Sequence, residues 1–143
     1  MNLIMTRGLP GSGKTTWAKQ FIATQPKGTW KRISKDDLRA MLDNGVESPE
    51  NEVFILDARD RLIEAALSRN INVIVDDTNF VFKQQRRVVE FCLQYNAEFE
   101  VKNFDTKLEV CIERDAARSN PVGKEAITNM WKEFVDPSTN TRT

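Results

Sequence analysis

The stretch Gly8-Leu9-Pro10-Gly11-Ser12-Gly13-Lys14-Thr15 decides the fold of this chain, because it matches the spacing G-x-x-x-x-G-K-[ST] in full. A short apolar run at residues 3–6 precedes it, and an apolar stripe at helical spacing follows from Thr15 to about residue 25. Glycines let several backbone N–H groups point at one phosphate, and the start of the helix adds a partial positive charge. The pattern predicts a phosphate-binding loop, here called the P-loop, between a buried strand and a helix.

The P-loop predicts a site for ATP with Mg²⁺. We expect Lys14 to reach the β- and γ-phosphates from an exposed position, and the Thr15 hydroxyl to coordinate Mg²⁺. The alternative is a glycine-rich turn that merely links strand to helix. The predicted nucleotide-binding residues of this stretch are Gly8, Pro10, Gly11, Ser12, Gly13, Lys14, Thr15 and Thr16.

Strand and helix patterns alternate along the rest of the chain. Further strands are predicted at residues 30–33, 71–75 and 98–104, and residues 45–51 are predicted to be a loop before a longer helix. Such alternation indicates parallel strands joined by helical crossovers. We therefore expect an α/β fold with a parallel sheet of about four strands in the order 2-3-1-4, flanked by helices.

Composition narrows the chemistry of this 143-residue chain. Basic and acidic residues both number 21, so an anionic partner must be held by a local basic patch rather than by the overall charge. There is no histidine, so proton transfer falls to a carboxylate or a lysine. Cys92 and Cys111 lie in apolar helical patterns without metal-ligand spacing, as expected of buried thiols in a reducing compartment. No apolar stretch approaches membrane-spanning length and no signal peptide is evident, which predicts a cytoplasmic protein without membrane contact.

Acidic residues follow the second and third predicted strands. Asp36, with Asp37 beside it, is a candidate general base for a hydroxyl acceptor, and Arg39 on the same helix face is a candidate contact to an anionic group of that acceptor. Alternatively, both aspartates only stabilise the helix N-terminus. The third strand runs into Asp76 and Asp77, the arrangement that holds Mg²⁺ in P-loop proteins.

We predict Asp77 as the metal carboxylate, together with Thr15, while the choice between Asp76 and Asp77 stays open at this point. The alternative is a turn or cap role for Asp77 and Asn79. Arg114 and Arg118 are four residues apart and are expected to share one helix face ahead of a Pro-Gly break. They predict an arginine-bearing lid over the phosphates, or else a solvated basic face with Glu113 and Asp115 as partners.

These residues together resemble the kinase module of the phage polynucleotide 5′-kinase/3′-phosphatase family. The resemblance covers most of the chain and rests on residues 8–18, on Ser-Lys-Asp-Asp-Leu-Arg at 34–39, and on Asp-Asp-Thr-Asn at 76–79, with the lid arginines in support. Ser34 and Lys35 stand where the family usually has asparagine and arginine. No Asp-x-Asp-Gly-Thr nucleophile motif of the family's phosphatase domain is present, so 3′-phosphatase activity is not expected.

The resemblance implies a single P-loop kinase domain over residues 1–143, with a lid around 106–123 and a polar tail at 136–143. It implies transfer of the ATP γ-phosphate to the 5′-hydroxyl of a DNA or RNA end, with a role in nucleic acid repair. By the same resemblance, Asp36 is the general base, Arg39 contacts the acceptor's phosphate, Asp77 supports the metal or acceptor, and Arg118 with Arg114 contacts the donor phosphates. Lys14 is expected to be catalytic as well.

Other functions remain open at this point. The same donor site would suit a kinase of a small molecule or protein, or a nucleotide-dependent binding module that uses the P-loop as a switch. A switch GTPase is disfavoured because the guanine-reading segment Asn-Lys-x-Asp is absent.

Overall fold

The sheet has four parallel strands in the order β2-β3-β1-β4, as the sequence predicts. The structure is a computed structural model that describes residues 1–138, and the part of the predicted polar tail after Ser138 lies outside the described residues. The strands are β1 (Asn2–Arg7), β2 (Trp30–Ile33), β3 (Asn72–Val75) and β4 (Glu98–Asn103). The helices are α1 (Lys14–Ala23), α2 (Lys35–Asp43), α3 (Pro49–Leu67), α4 (Phe82–Tyr95), α5 (Leu108–Ala116) and α6 (Lys124–Met130), followed by a π-helical segment (Trp131–Val135).

The two central strands bury apolar side chains on both faces of the sheet. In β1, Leu3 and Met5 face α3 and α4, while Ile4 faces α1, because successive strand residues point to opposite faces. The neighbouring strand β3 is in register, with Leu3 opposite Val73 and Met5 opposite Val75. Burial on both sides explains why these strands read as continuous apolar runs in the sequence.

The loop predicted at 45–51 ends earlier than expected, because α3 already begins at Pro49. Ser48 is the N-cap, and its side chain accepts a hydrogen bond of 3.1 Å from the Asn51 backbone N–H. Proline at the first helical position and glutamates in the first turn favour this start. The signal for an earlier helix was therefore present in the sequence.

A third apolar cluster joins the P-loop to the C-terminal helices. Leu9 of the P-loop packs with Phe80, Cys111 and Ile127. Cys111 and Cys92 are both free and buried, which confirms the sequence-based expectation. Within residues 1–138, no helix is long and apolar enough to cross a membrane.

Candidate active site

A cavity of about 740 Å³ lies at the carboxyl ends of the strands, the usual ligand position in a parallel sheet. The P-loop, the start of α2, the end of β3 and the region of α5 all contribute to it. Every predicted site residue except Gly8 and Ser12 lines this cavity: Pro10, Gly11, Gly13, Lys14, Thr15, Thr16, Asp36, Arg39, Asp77, Arg114 and Arg118.

The P-loop backbone depends on glycine at two positions. Gly11 and Gly13 have φ angles of +79° and +103°, in the left-handed region that L side chains rarely adopt. A Cβ on Gly11 would also lie 2.4 Å from the carbonyl oxygen of Cys111 in α5. The P-loop and α5 are therefore in direct backbone contact.

Lys14 is buried, with only 8 % of its surface exposed, so the expectation of an exposed lysine is wrong. Its Nζ donates hydrogen bonds to the carbonyl oxygens of Gly8 (2.8 Å) and Leu9 (2.7 Å). Burial lowers the pKa of Lys14 to about 8, although nearby Asp76 acts in the opposite direction. The loop folds over its own lysine, which holds the ammonium group among backbone oxygens beside the cavity.

The structure places Asp76, rather than Asp77, beside Thr15. The Thr15 hydroxyl donates to Asp76 Oδ2 at 2.8 Å, and Nε of Arg32 donates to the same oxygen at 2.8 Å. A hydroxyl and a carboxylate beside a phosphate loop are hard oxygen donors that fit Mg²⁺, which usually takes one or two protein ligands and completes its shell with phosphates and water. Within residues 1–138, no three acidic, Cys or His side chains cluster tightly enough to hold a metal alone.

Asp77 points away from Thr15, into the protein. Its Oδ1 accepts a hydrogen bond of 2.9 Å from the Lys35 backbone N–H, and its Oδ2 lies 3.9 Å from Nη1 of Arg59. Burial raises the pKa of Asp77 to about 6. Thr15 thus contacts Asp76 and not Asp77, although both aspartates line the cavity. Which of the two carboxylates supports a metal stays a prediction.

Asn79 has a structural role, as the alternative interpretation held. Its side-chain nitrogen donates to the carbonyl oxygens of Thr6 (2.7 Å) and Asp77 (3.1 Å), and its φ is +53°. These bonds tie the end of β3 to the end of β1 behind the P-loop.

The two aspartates at the start of α2 point to different partners. Asp36, with 60 % of its side chain exposed, accepts from Nη1 of Arg39 at 2.6 Å and lies 3.8 Å from Nη2 of Arg118. Asp37 instead pairs with Arg32 at 2.5 Å, and its backbone N–H donates to the N-cap Ser34. Only Asp36 therefore lies between the start of α2 and an arginine of the predicted lid.

Arg39 is already paired with carboxylates. Its Nε and Nη2 donate to the two oxygens of Glu52 at 2.8 and 2.6 Å, in addition to its bond to Asp36. The hydrogen bonds with Arg39 lower the pKa of Glu52. The expectation that Arg39 holds an acceptor phosphate stays a prediction, since a phosphate would have to displace one of these carboxylates.

Arg114 and Arg118 line the same cavity but do not share a helix, because α5 ends at Ala116. The carboxylate of Asp115 is buried, and its two oxygens accept the backbone N–H groups of Val122 and Gly123, each at 2.9 Å. Arg118 lies 3.4 Å from the same carboxylate. Asp115 is thus a structural anchor for the turn between α5 and α6 and also an ion-pair partner of Arg118, which the alternative interpretation expected.

Sequence reasoning missed four cavity or supporting residues: Arg32, Lys35, Glu52 and Arg59. Lys35 was noted only as a departure from the family pattern, and its Nζ donates to Gln84 at 3.1 Å. Arg59 is fully buried on α3, four residues from each of the buried Ile55 and Ile63. A charged residue inside the apolar face of a predicted helix would have been the one available signal for it.

Comparisons with known proteins agree with this geometry. The sequence profile described as AAA domain matches residues 3–137. A chain of the Pnkp1/Rnl/Hen1 RNA repair complex superposes with a TM-score of 0.77 at 32% identity, covering 90% of this chain and 42% of that one.

Two sequence relatives have named activities. L-seryl-tRNA(Sec) kinase of Methanococcus maripaludis is 30% identical over 96% of this chain and 54% of its own length. A protein of Autographa californica nuclear polyhedrosis virus, named for polynucleotide kinase and RNA ligase activities, is 27% identical over 93% of this chain and 21% of its own length. The chain thus spans about half or less of these relatives. With its profile match over nearly the whole described range and its phosphate-binding loop, the chain belongs to the AAA-domain family and has the P-loop kinase fold.

Proposed function

We propose that this chain is an ATP-dependent kinase that phosphorylates the 5′-hydroxyl end of a nucleic acid. One observation carries the proposal: Asp36 lies in the same cavity as Lys14 and Thr15 and is held between Arg39 and Arg118. A carboxylate in that position can take the proton of an attacking hydroxyl, and the chain has no histidine to do so.

The donor site is assigned to the P-loop, Thr15 and Asp76. Lys14, now bonded to two backbone oxygens, would exchange these for oxygens of the β- and γ-phosphates. Thr15 and Asp76 would hold Mg²⁺, which when bound neutralises charge on those phosphates. Arg32 fixes Asp76 through the oxygen that Thr15 also contacts, which orients the carboxylate toward the cavity.

Transfer then needs few protein groups. The acceptor hydroxyl attacks the γ-phosphorus, its proton passes to Asp36, and the bond to the ADP oxygen breaks. Arg39, fixed by Glu52, orients the Asp36 carboxylate. Arg114 and Arg118 donate to the phosphates as their charge redistributes, which is the proposed role of the lid.

The names of the relatives support a nucleic acid acceptor. One is named for a tRNA substrate, one for polynucleotide kinase activity, and one belongs to an RNA repair complex. The first favours a second candidate, the hydroxyl of an aminoacyl group carried by tRNA. Both candidates use the same donor site and the same base.

An acceptor screen with γ-labelled ATP tests the proposal. Single strands with a 5′-hydroxyl should become labelled at the 5′ end, whereas 5′-phosphorylated strands should not. Labelling of seryl-tRNA alone would favour the second candidate, and labelling of small alcohols alone would reject a nucleic acid acceptor. ATP binding without any transfer would leave the binding-module interpretation.

Replacing Asp36 with asparagine tests the base. Loss of a general base costs about 10²–10⁴ in rate, so Asp36→Asn should lower kcat by that factor with little change in the KM for ATP. Asp37→Asn is the matched control, since Asp37 is the neighbouring aspartate in the same helical turn but pairs with Arg32. A larger loss of rate for Asp37→Asn than for Asp36→Asn would show that Asp36 is not the base.

A further inference from the structure

The first turns of α4 carry an exposed basic and aromatic surface, here called the α4 patch and defined as Phe82, Lys83 and Arg86. Phe82 has 64 % of its surface exposed, although it lies at the start of a helix that packs on the core. Phe82 and Arg86 are four residues apart and so share one helix face, with Lys83 beside them. An exposed aromatic ring beside two cations has the composition of a surface that stacks on bases and contacts phosphates.

The patch follows the proposed active site closely along the chain. The loop that precedes α4 contributes Asp76, Asp77 and Thr78 to the cavity lining. Gln84, inside the same first turn, accepts the hydrogen bond from Lys35, which also lines the cavity. Gln84 itself faces the cavity side of α4, whereas Phe82 begins the patch four residues after the lining residue Thr78, and thus at most about 14 Å from it.

The cations of the patch form no ion pair within the described part of the chain. Neither Lys83 nor Arg86 forms an ion pair with a carboxylate of residues 1–138, whereas neighbouring Arg87 pairs with Asp60. Cations near a helix N-terminus also oppose the helix dipole, and the first turn of α4 holds neither an acidic residue nor a side-chain cap. These charges do not stabilise their own helix, so the patch is complementary to an external anion.

We propose that the α4 patch binds the acceptor strand a few nucleotides inside its 5′ end, an inference that rests on the proposed function. Lys83 and Arg86 would contact backbone phosphates, and the ring of Phe82 would stack on one base. Exposed aromatics beside cations are the usual means of holding single strands without reading their sequence. Because the net charge of the chain is zero, a local patch is the means by which it attracts a polyanion.

Steady-state kinetics with a long and a minimal acceptor test the patch. The variants are Lys83→Ala/Arg86→Ala and Phe82→Ala. The control is Lys19→Ala/Lys27→Ala, which removes the same charge from exposed positions at and after α1. The acceptors are a 5′-hydroxyl single strand of about twenty nucleotides, longer than one stacking surface covers, and a nucleoside 3′-monophosphate.

The patch variants should raise the KM for the long strand about tenfold, as expected for the loss of one stacked base or of two phosphate contacts. Each lost phosphate contact should flatten the log–log salt dependence by roughly 0.7, and thus by about 1.4 for the double variant but not for Phe82→Ala. The KM for ATP and for the nucleoside 3′-monophosphate should not change.

The outcomes separate the two proposals. If wild type labels no 5′-hydroxyl strand, both the function and the patch are rejected. If it labels strands but the patch variants match the control, only the patch is rejected. Equal losses on long and minimal acceptors would place the effect in the cavity and overturn the patch. If polyglutamate and polynucleotide inhibit phosphorylation of the long strand equally well, and Phe82→Ala has no effect, the patch binds an acidic protein partner instead.

Discussion

Replacing Gly11 with alanine should destabilise the protein more than the same change at Gly28. The two glycines have nearly equal φ angles, +79° and +80°, so alanine in this left-handed region costs about 1–2 kcal/mol at either position. Among the described residues, nothing lies within 4 Å of a Cβ on Gly28, whereas a Cβ on Gly11 would lie 2.4 Å from the Cys111 carbonyl oxygen. Ordinary contact requires about 1 Å more, and a backbone oxygen cannot rotate away, so a further ~1–3 kcal/mol is expected from overpacking.

Thermal unfolding followed by circular dichroism measures the difference. For a chain of 143 residues, 1 kcal/mol corresponds to roughly 3 °C in Tm. Gly28→Ala should therefore lower Tm by about 3–6 °C, and Gly11→Ala by about 6–15 °C. Gly11→Ala should also lose ATP affinity, because the P-loop or α5 must shift, while Gly28→Ala should bind ATP as wild type does. Equal Tm values for the two variants would refute the close contact between the P-loop and α5.

Three further predictions concern the site and the thiols. Asp76→Asn should lower kcat at least about 100-fold and raise the Mg²⁺ concentration needed for half-maximal rate, whereas Asp77→Asn should leave that concentration unchanged. A magnesium titration of both variants measures this, and the reverse pattern would identify Asp77 as the metal ligand. Arg118→Ala should lower the rate constant of transfer in single-turnover assays by about 10³. Arg118→Lys should recover little of this rate, because lysine lacks the planar guanidinium that donates two hydrogen bonds. An unchanged rate would show that Arg118 does not act on the phosphates. Burial raises the pKa of Cys92 to about 11 and also raises that of Cys111, which keeps both thiols protonated near pH 8, so a thiol reagent should label neither in the folded protein and both in denaturant.

The fold was predictable because its signals are local. A P-loop between an apolar strand and a helix, followed by regular alternation, is sufficient for the sheet order, and the carboxyl ends of the strands then bring the motifs together. The Ser48-Pro49 helix start was a readable signal as well. The absence of histidine left a carboxylate or a lysine as the candidate base.

The partners within the site were not predictable, since they depend on how neighbouring elements pack. Whether Asp76 or Asp77 faces Thr15 depends on how the chain leaves β3. Glu52 reaches Arg39 only because the start of α3 packs against α2. The burial of Lys14 follows from the P-loop folding over its own side chain, which spacing alone does not indicate.

The buried carboxylate of Asp115 has a consequence for engineering. Because it holds the backbone of Val122 and Gly123, the chain leaves α5 and enters α6 at a fixed separation, whatever lies between. The turn at 117–121 can therefore change in composition or length, at positions other than Arg118, without altering the distance between the two helices. Because Arg118 lies in this turn and pairs with the same carboxylate, Asp115 also fixes the position of an arginine that lines the cavity.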